Sequence, residues 1–151
     1  MNLRNYTSGV PVERSISAIE KLLVQAGATH IAKFYDGQRI VGFMFQIIIN
    51  HTSISFKLPS KPLAIRRLME AEVKKPRCGT MQRVAEQAER TAWAILKDWV
   101  HIQVTMIQVQ QAEALQIFLP YACINGTDIT LFDKLKDTGF KQLQACSERN
   151  T

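Results

Sequence analysis

No stretch of this chain approaches the roughly 20 consecutive apolar residues that cross a bilayer, and residues 1–10 have neither a basic n-region nor an apolar h-region. Neither a membrane span nor a secretory leader is expected. Cysteine is scarce: Cys78, Cys123 and Cys146 form an odd set without CxxC spacing or a neighbouring histidine. That excludes a disulfide framework and a zinc site from the sequence reading, and the thiols are expected to be reduced. The glycine-rich patterns GxGxxG, GxxxxGK[ST] and GxSxG are absent, which removes the usual signatures of dinucleotide binding, nucleotide hydrolysis and serine hydrolase chemistry. His30, His51 and His101 are far apart, and none has the i, i+4 spacing that builds a metal site on one helix face. No metal, cofactor or catalytic residue is expected, and the chain is read as a non-enzyme.

Glycine and proline are also missing from forty consecutive residues, Thr80 to Leu119, between Gly79 and Pro120. The stretch reads as one very long helix. At about 1.5 Å per residue it would reach roughly 60 Å, whereas a compact chain of this length is about 40 Å across. Such a helix either kinks or projects and pairs. Val84, Ala88, Ala92, Ile95, Trp99, Ile102, Met106 and Val109 recur at alternating three- and four-residue steps, the spacing of a seam that faces a partner along its length. Ile95, Trp99, Ile102, Met106 and Val109 are therefore the expected homo-oligomer seam. From Val100 to Val109 the apolar residues also alternate with polar ones, so a strand is the alternative there.

The remainder reads as α+β in a single domain over residues 1–151; with 46% hydrophobic and 21% charged residues, the chain can bury a core. Ser15 is expected to cap a first helix, about Ser15 to Ala26, with Ile16, Ile19, Leu22 and Leu23 at helical spacing and Gly27 as its stop. His30 to Tyr35, Arg39 to Ile49 and Ser53 to Leu58 read as strands joined by turns at Asp36-Gly37 and Asn50-His51. They predict a three-stranded antiparallel meander. Pro62 suits the first turn of a short helix carrying Leu63, Ile65, Leu68 and Met69. Lys74 to Thr80 reads as a loop. After Pro120, Asp128 is expected to cap a last short helix with Leu131, Phe132 and Leu135, ended by Gly139.

Charge is the feature that points to a partner. The net charge is +6, and its distribution says more than its total. Lys57, Lys61, Arg66, Arg67, Lys74, Lys75, Arg77, Arg83 and Arg90 set nine cations against Glu70, Glu72, Glu86 and Glu89. A positive loop leading into a helix N-terminus combines side-chain charge with free backbone N–H groups, and both favour phosphate. Arg66, Arg67, Lys74, Lys75, Arg77, Arg83 and Arg90 are the expected nucleic-acid or anion-binding residues. Two catalytic pairings compete with this reading. Asp98 and His101 lie three apart on one helix face, but no nucleophile is near them in sequence, so they read as a surface pair. Cys78 follows Lys74, Lys75 and Arg77 and reads as a bystander in a basic loop.

One resemblance adds a setting. Met1-Asn2-Leu3, Val10-Pro11-Val12, Arg14-Ser15-Ile16, Ile19-Glu20, Gly27-Ala28, Phe56-Lys57-Leu58-Pro59, Ala85 to Trp93, Lys97-Asp98-Trp99-Val100 and Phe118-Leu119-Pro120-Tyr121 resemble a family of small proteins encoded by bacteriophages and prophages. The family has no established activity or catalytic residues. The resemblance implies a viral protein acting in the cytoplasm of a bacterial host, away from membranes. The expected function is non-enzymatic nucleic-acid binding. The alternative is an anti-defence inhibitor that binds a host immune protein or sequesters an anionic signalling nucleotide.

Overall fold

The computed structural model describes residues 2–145, so Cys146 lies outside the described residues. The elements are α1 (Val12–Gln25), β1 (Ala28–Asp36), β2 (Arg39–Ile49), β3 (Thr52–Lys57), α2 (Pro62–Ala71), α3 (Thr80–Gln108), α4 (Ala114–Phe118) and α5 (Leu131–Asp137). This is the expected α+β order: a helix, a three-stranded antiparallel meander, then a helical half with one long helix.

The meander follows its turn chemistry. Asn50 and His51 both take positive φ (49° and 65°) between β2 and β3, the mirror-image turn whose twist matches paired strands. Inner and outer faces alternate along β2, with Phe43, Phe45 and Ile47 buried and Ile48 exposed. Ile40 breaks the alternation and is nevertheless buried. The register shifts there, because Phe34 pairs with Gly42 while Tyr35 pairs with Ile40. Val41 is the extra residue of a bulge, which rotates Ile40 onto the inner face.

On that face, α1 contributes Ile16, Ile19 and Leu23, and α3 contributes Trp93, Leu96, Val100 and Val104, to one cluster with Phe43, Phe45, Phe56 and Phe118. Phe45 stacks on Phe56 with ring centroids 5.1 Å apart and meets Phe118 edge-on at 5.2 Å. The free edge of β3 is covered by the C-terminal half, where Cys123 N–H donates to the Ser55 carbonyl at 2.8 Å. On the outer face, Phe34 lies over Gly42: a Cβ built on that glycine would sit 3.3 Å from Phe34 Cδ2.

Three sequence expectations need correction. The first helix begins at Val12 and not at Ser15: Pro11 leads in, its carbonyl accepts the Arg14 and Ser15 N–H groups at 3.1 and 3.3 Å, and Ser15 is fully buried inside the helix. The last helix is capped by Thr130 and not by Asp128. Thr130 Oγ1 accepts the Asp133 N–H, and the Asp133 carboxylate accepts the Thr130 N–H in return, a reciprocal cap at both ends of the first turn.

The forty-residue stretch is also not one helix. It stays helical through the ambiguous Val100–Gln108 segment but stops at Gln108, and a separate short helix follows at Ala114. Gln110 adopts φ 59°; its N–H donates to the Ile107 carbonyl at 3.0 Å, and the Gln111 N–H reaches back to Met106 at 2.9 Å. Those two bonds form a Schellman C-cap with glutamine in the left-handed place usually held by glycine.

The N-terminal residues lie across α3. Thr91, fully buried, donates its hydroxyl to the Asn5 carbonyl at 3.1 Å, and Gln87 Nε2 donates to the Tyr6 and Ser8 carbonyls at 3.0 Å each. Arg4 and Asn5 donate to the Asp98 carboxylate at 2.8 and 3.0 Å. That carboxylate therefore faces the N-terminal strap.

Candidate nucleic-acid interface

Helices α2 and α3 pack against each other, and the chain reverses between them over residues 72–79. The reversal is locally built. The Arg77 N–H donates to Thr80 Oγ1 and the Thr80 N–H returns to the Arg77 carbonyl, each at 3.0 Å. Gly79 then opens α3 at φ 79°, a conformation that a Cβ disfavours. Lys74, Lys75 and Arg77 are exposed on this turn, and Arg83 is exposed one helical turn further on. From Val73 to Ala85 the sequence contains no Asp or Glu.

The other three expected site residues lie elsewhere. Arg66 is committed along α2, its Nε 2.6 Å from Glu70 Oε1. Arg90 bonds to Gln87 Oε1 through Nη2 and Nε at 2.7 and 3.2 Å. It lines a cleft of about 380 Å³ between α1, the β1–β2 hairpin and α3. Arg67 lines a second cleft, of about 470 Å³, between the hairpin tip and the start of α2. The seven cations thus divide into a group of four on and just after the turn and three with separate surroundings.

The two clefts share Arg39 and Glu89, which bridge at 3.1 Å. In the first cleft Glu13, Glu20, Glu86 and Glu89 outnumber Lys33, Arg39 and Arg90, a balance unfavourable to a polyanion. Lys33 Nζ lies 2.6 Å from Glu20 Oε1, and that hydrogen bond holds its amine above the ordinary lysine range. In the second cleft Arg39, Lys61 and Arg67 face Asp36 and Glu89. Arg39 had no signal in the sequence as a cleft residue, because the hairpin brings it to Glu89 of α3, fifty positions further along the chain.

No family model, curated protein or solved structure matches this chain.

Asp98 does not orient His101: burial alone would raise its carboxyl, but the hydrogen bonds from Asn5 and Arg4 and the charges of Arg4 and Lys97 outweigh it, and the group is held below the ordinary range. Burial, followed by the charge of Asp128, pushes the Cys123 thiol up, which disfavours its thiolate. Among the described residues, no three His, Cys, Asp or Glu side chains are grouped to hold a metal. Nor is any described helix long and apolar enough to cross a membrane.

Proposed function

We propose that this chain is a phage-type accessory protein that works without catalysis and binds nucleic acid at the turn between α2 and α3. The observation that carries the reading is the exposed set Lys74, Lys75, Arg77 and Arg83, placed on one turn and the first helical turn after it with no carboxylate from Val73 to Ala85. Four exposed cations beside a helix N-terminus suit the phosphate backbone, which needs charge and N–H donors but no fixed base geometry. Of the aromatic side chains that could stack bases, Phe43, Phe45 and Phe56 are buried, and the exposed Tyr35 lines the first cleft among its carboxylates. The reading therefore favours backbone contact over base readout.

Four phosphate contacts predict a slope of log Kobs against log salt of roughly −3 to −4 on duplex DNA. The test is a titration of fluorescent duplex and single-stranded DNA and RNA at several salt concentrations, with the wild type and with the triple variant Lys74→Glu, Lys75→Glu, Arg77→Glu. Loss of binding and of the salt slope in the variant is expected. Undiminished binding by that variant would sink the proposal.

A second reading, sequestration of a small anionic nucleotide in service of anti-defence, is favoured by the second cleft. Its volume of about 470 Å³ and its cations Arg39, Lys61 and Arg67 suit a phosphorylated ligand with an apolar part. Calorimetric titration with mono- and cyclic dinucleotides separates the two: stoichiometric binding that is lost in Arg67→Glu, unaffected by the triple variant and insensitive to competing DNA selects the cleft.

A further inference from the structure

Along α3, Trp93, Leu96, Val100 and Val104 enter the core, and the upstream seam positions Ala88 and Ala92 are buried as well. The downstream seam residues lie on a different face. Ile102, Met106 and Val109 are 59%, 39% and 55% exposed, and no Lys, Arg, Asp or Glu occurs from Trp99 to Ala112. A solvated helix face normally alternates apolar residues with charges; this one offers glutamine, threonine and a histidine instead.

Next to this ridge is a groove of about 340 Å³ between α2 and α3, with Ile65, Leu68, Ile95, Trp99 and Tyr121 among its walls. Trp99 is held edge-on by Tyr121 and Phe118, with centroids 5.6 and 6.0 Å away. Trp99 and Ile102 are three apart, so the groove runs into the ridge along one strip of the helix. The strip is half concave and half convex.

We infer that a second copy of this chain covers the strip, its α3 running antiparallel across the first at Ile102. The spacing supports this occupant. Counted from Ile102, the seam residues fall at minus seven, minus three, zero, plus four and plus seven. A twofold axis at Ile102 therefore sets Ile102 against its own copy, Val109 against Ile95, and Met106 beside Trp99. The exposed ridge of each copy enters the groove of the other, the reciprocal contact that an isologous dimer requires. From Trp99 to Val109 the strip carries no charge, so the central crossing creates no like-charge contact, and Lys61 stands at the groove wall. This inference does not depend on what the basic turn binds.

The test is sedimentation equilibrium at micromolar concentration, followed by crosslinking in a chain whose Cys78, Cys123 and Cys146 are replaced by serine. A dimer is expected, and Ile102→Cys should oxidise to a single covalent dimer. Mixed Ile95→Cys and Val109→Cys chains should crosslink to each other, while Val24→Cys, exposed on α1, should not crosslink. Ile102→Glu with Met106→Glu should halve the mass and leave the helical circular dichroism unchanged. A wild-type monomer overturns the inference and leaves the strip to a partner of different sequence. Self-crosslinking of Ile95→Cys in place of the mixed product overturns it in favour of a parallel pair.

Discussion

Arg4 Nε lies 2.8 Å from Asp98 Oδ2, and this contact joins the first residues of the chain to the middle of α3. The folded-state pKa of Asp98 lies below its ordinary value of 3.8. Its contribution to stability is therefore complete above that value and is lost as the pH falls through the lower, folded one. Asp98→Asn should cost about 1 kcal/mol at neutral pH. In urea melts at a series of pH values, the gap between variant and wild type should close only in acid, below pH 3.8. A gap that persists unchanged into strong acid would show that the charge is not what holds the strap.

Gln110→Gly should stabilise the chain by about 0.5–1 kcal/mol, because glycine enters the left-handed region without the penalty that a Cβ carries. Gln110→Val should destabilise it by more than that, since a β-branched side chain resists the same conformation. Thermal melts of the two variants give the two signs directly.

That residue also marks where the sequence stops being informative. Periodicity and turn residues were sufficient for the meander, because Asn50-His51 and Gly37 act through local backbone preference, although the first turn falls at Gly37-Gln38 and not at Asp36-Gly37, since Asp36 pairs with Arg39 at the end of β1. The end of α3 rests on a glutamine whose left-handed φ has no local signature, so the absence of glycine reads as continuity. The caps were misplaced for a related reason: Ser15 and Asp128 are good capping residues by type, but burial drew Ser15 inside α1 and Asp133 paired with Thr130. At the basic site, the cluster Lys74, Lys75, Arg77 and Arg83 was legible because the residues are sequence neighbours. The separation of Arg66 and Arg90 from it depends on which side chain each meets, Glu70 and Gln87, and sequence distance does not encode that.

At Gly42, adding a methyl group should help. The Cβ would come 3.3 Å from the Phe34 ring, and that ring is 47% exposed and free to move by a few tenths of an ångström. The smaller unfolded-state entropy of alanine should then prevail, and Gly42→Ala should gain about 0.5 kcal/mol. A loss of stability in urea unfolding would mean that the Phe34 ring is fixed in place by its neighbours.

Thr130→Ala removes the side-chain acceptor for the Asp133 N–H and the hydroxyl that donates to Asp133 Oδ2 at 2.9 Å. A loss of about 1 kcal/mol is expected. Thr130→Ser should recover most of it, because only the hydroxyl is used. Hydrogen exchange at the first turn of α5 should report the local loss even where global unfolding is less sensitive.

The unbroken run of α3 from Gly79 to Ile102 makes it a ruler. Twenty-three residues at about 1.5 Å each set a basic turn roughly 35 Å from the crossing point, so an antiparallel pair carries two such turns roughly 70 Å apart. B-DNA repeats every 34–36 Å, and two repeats bring the same face of a duplex back to the same side. A duplex of about 20 base pairs is then the shortest that both turns can grip at once, and affinity should rise sharply at that length instead of gradually.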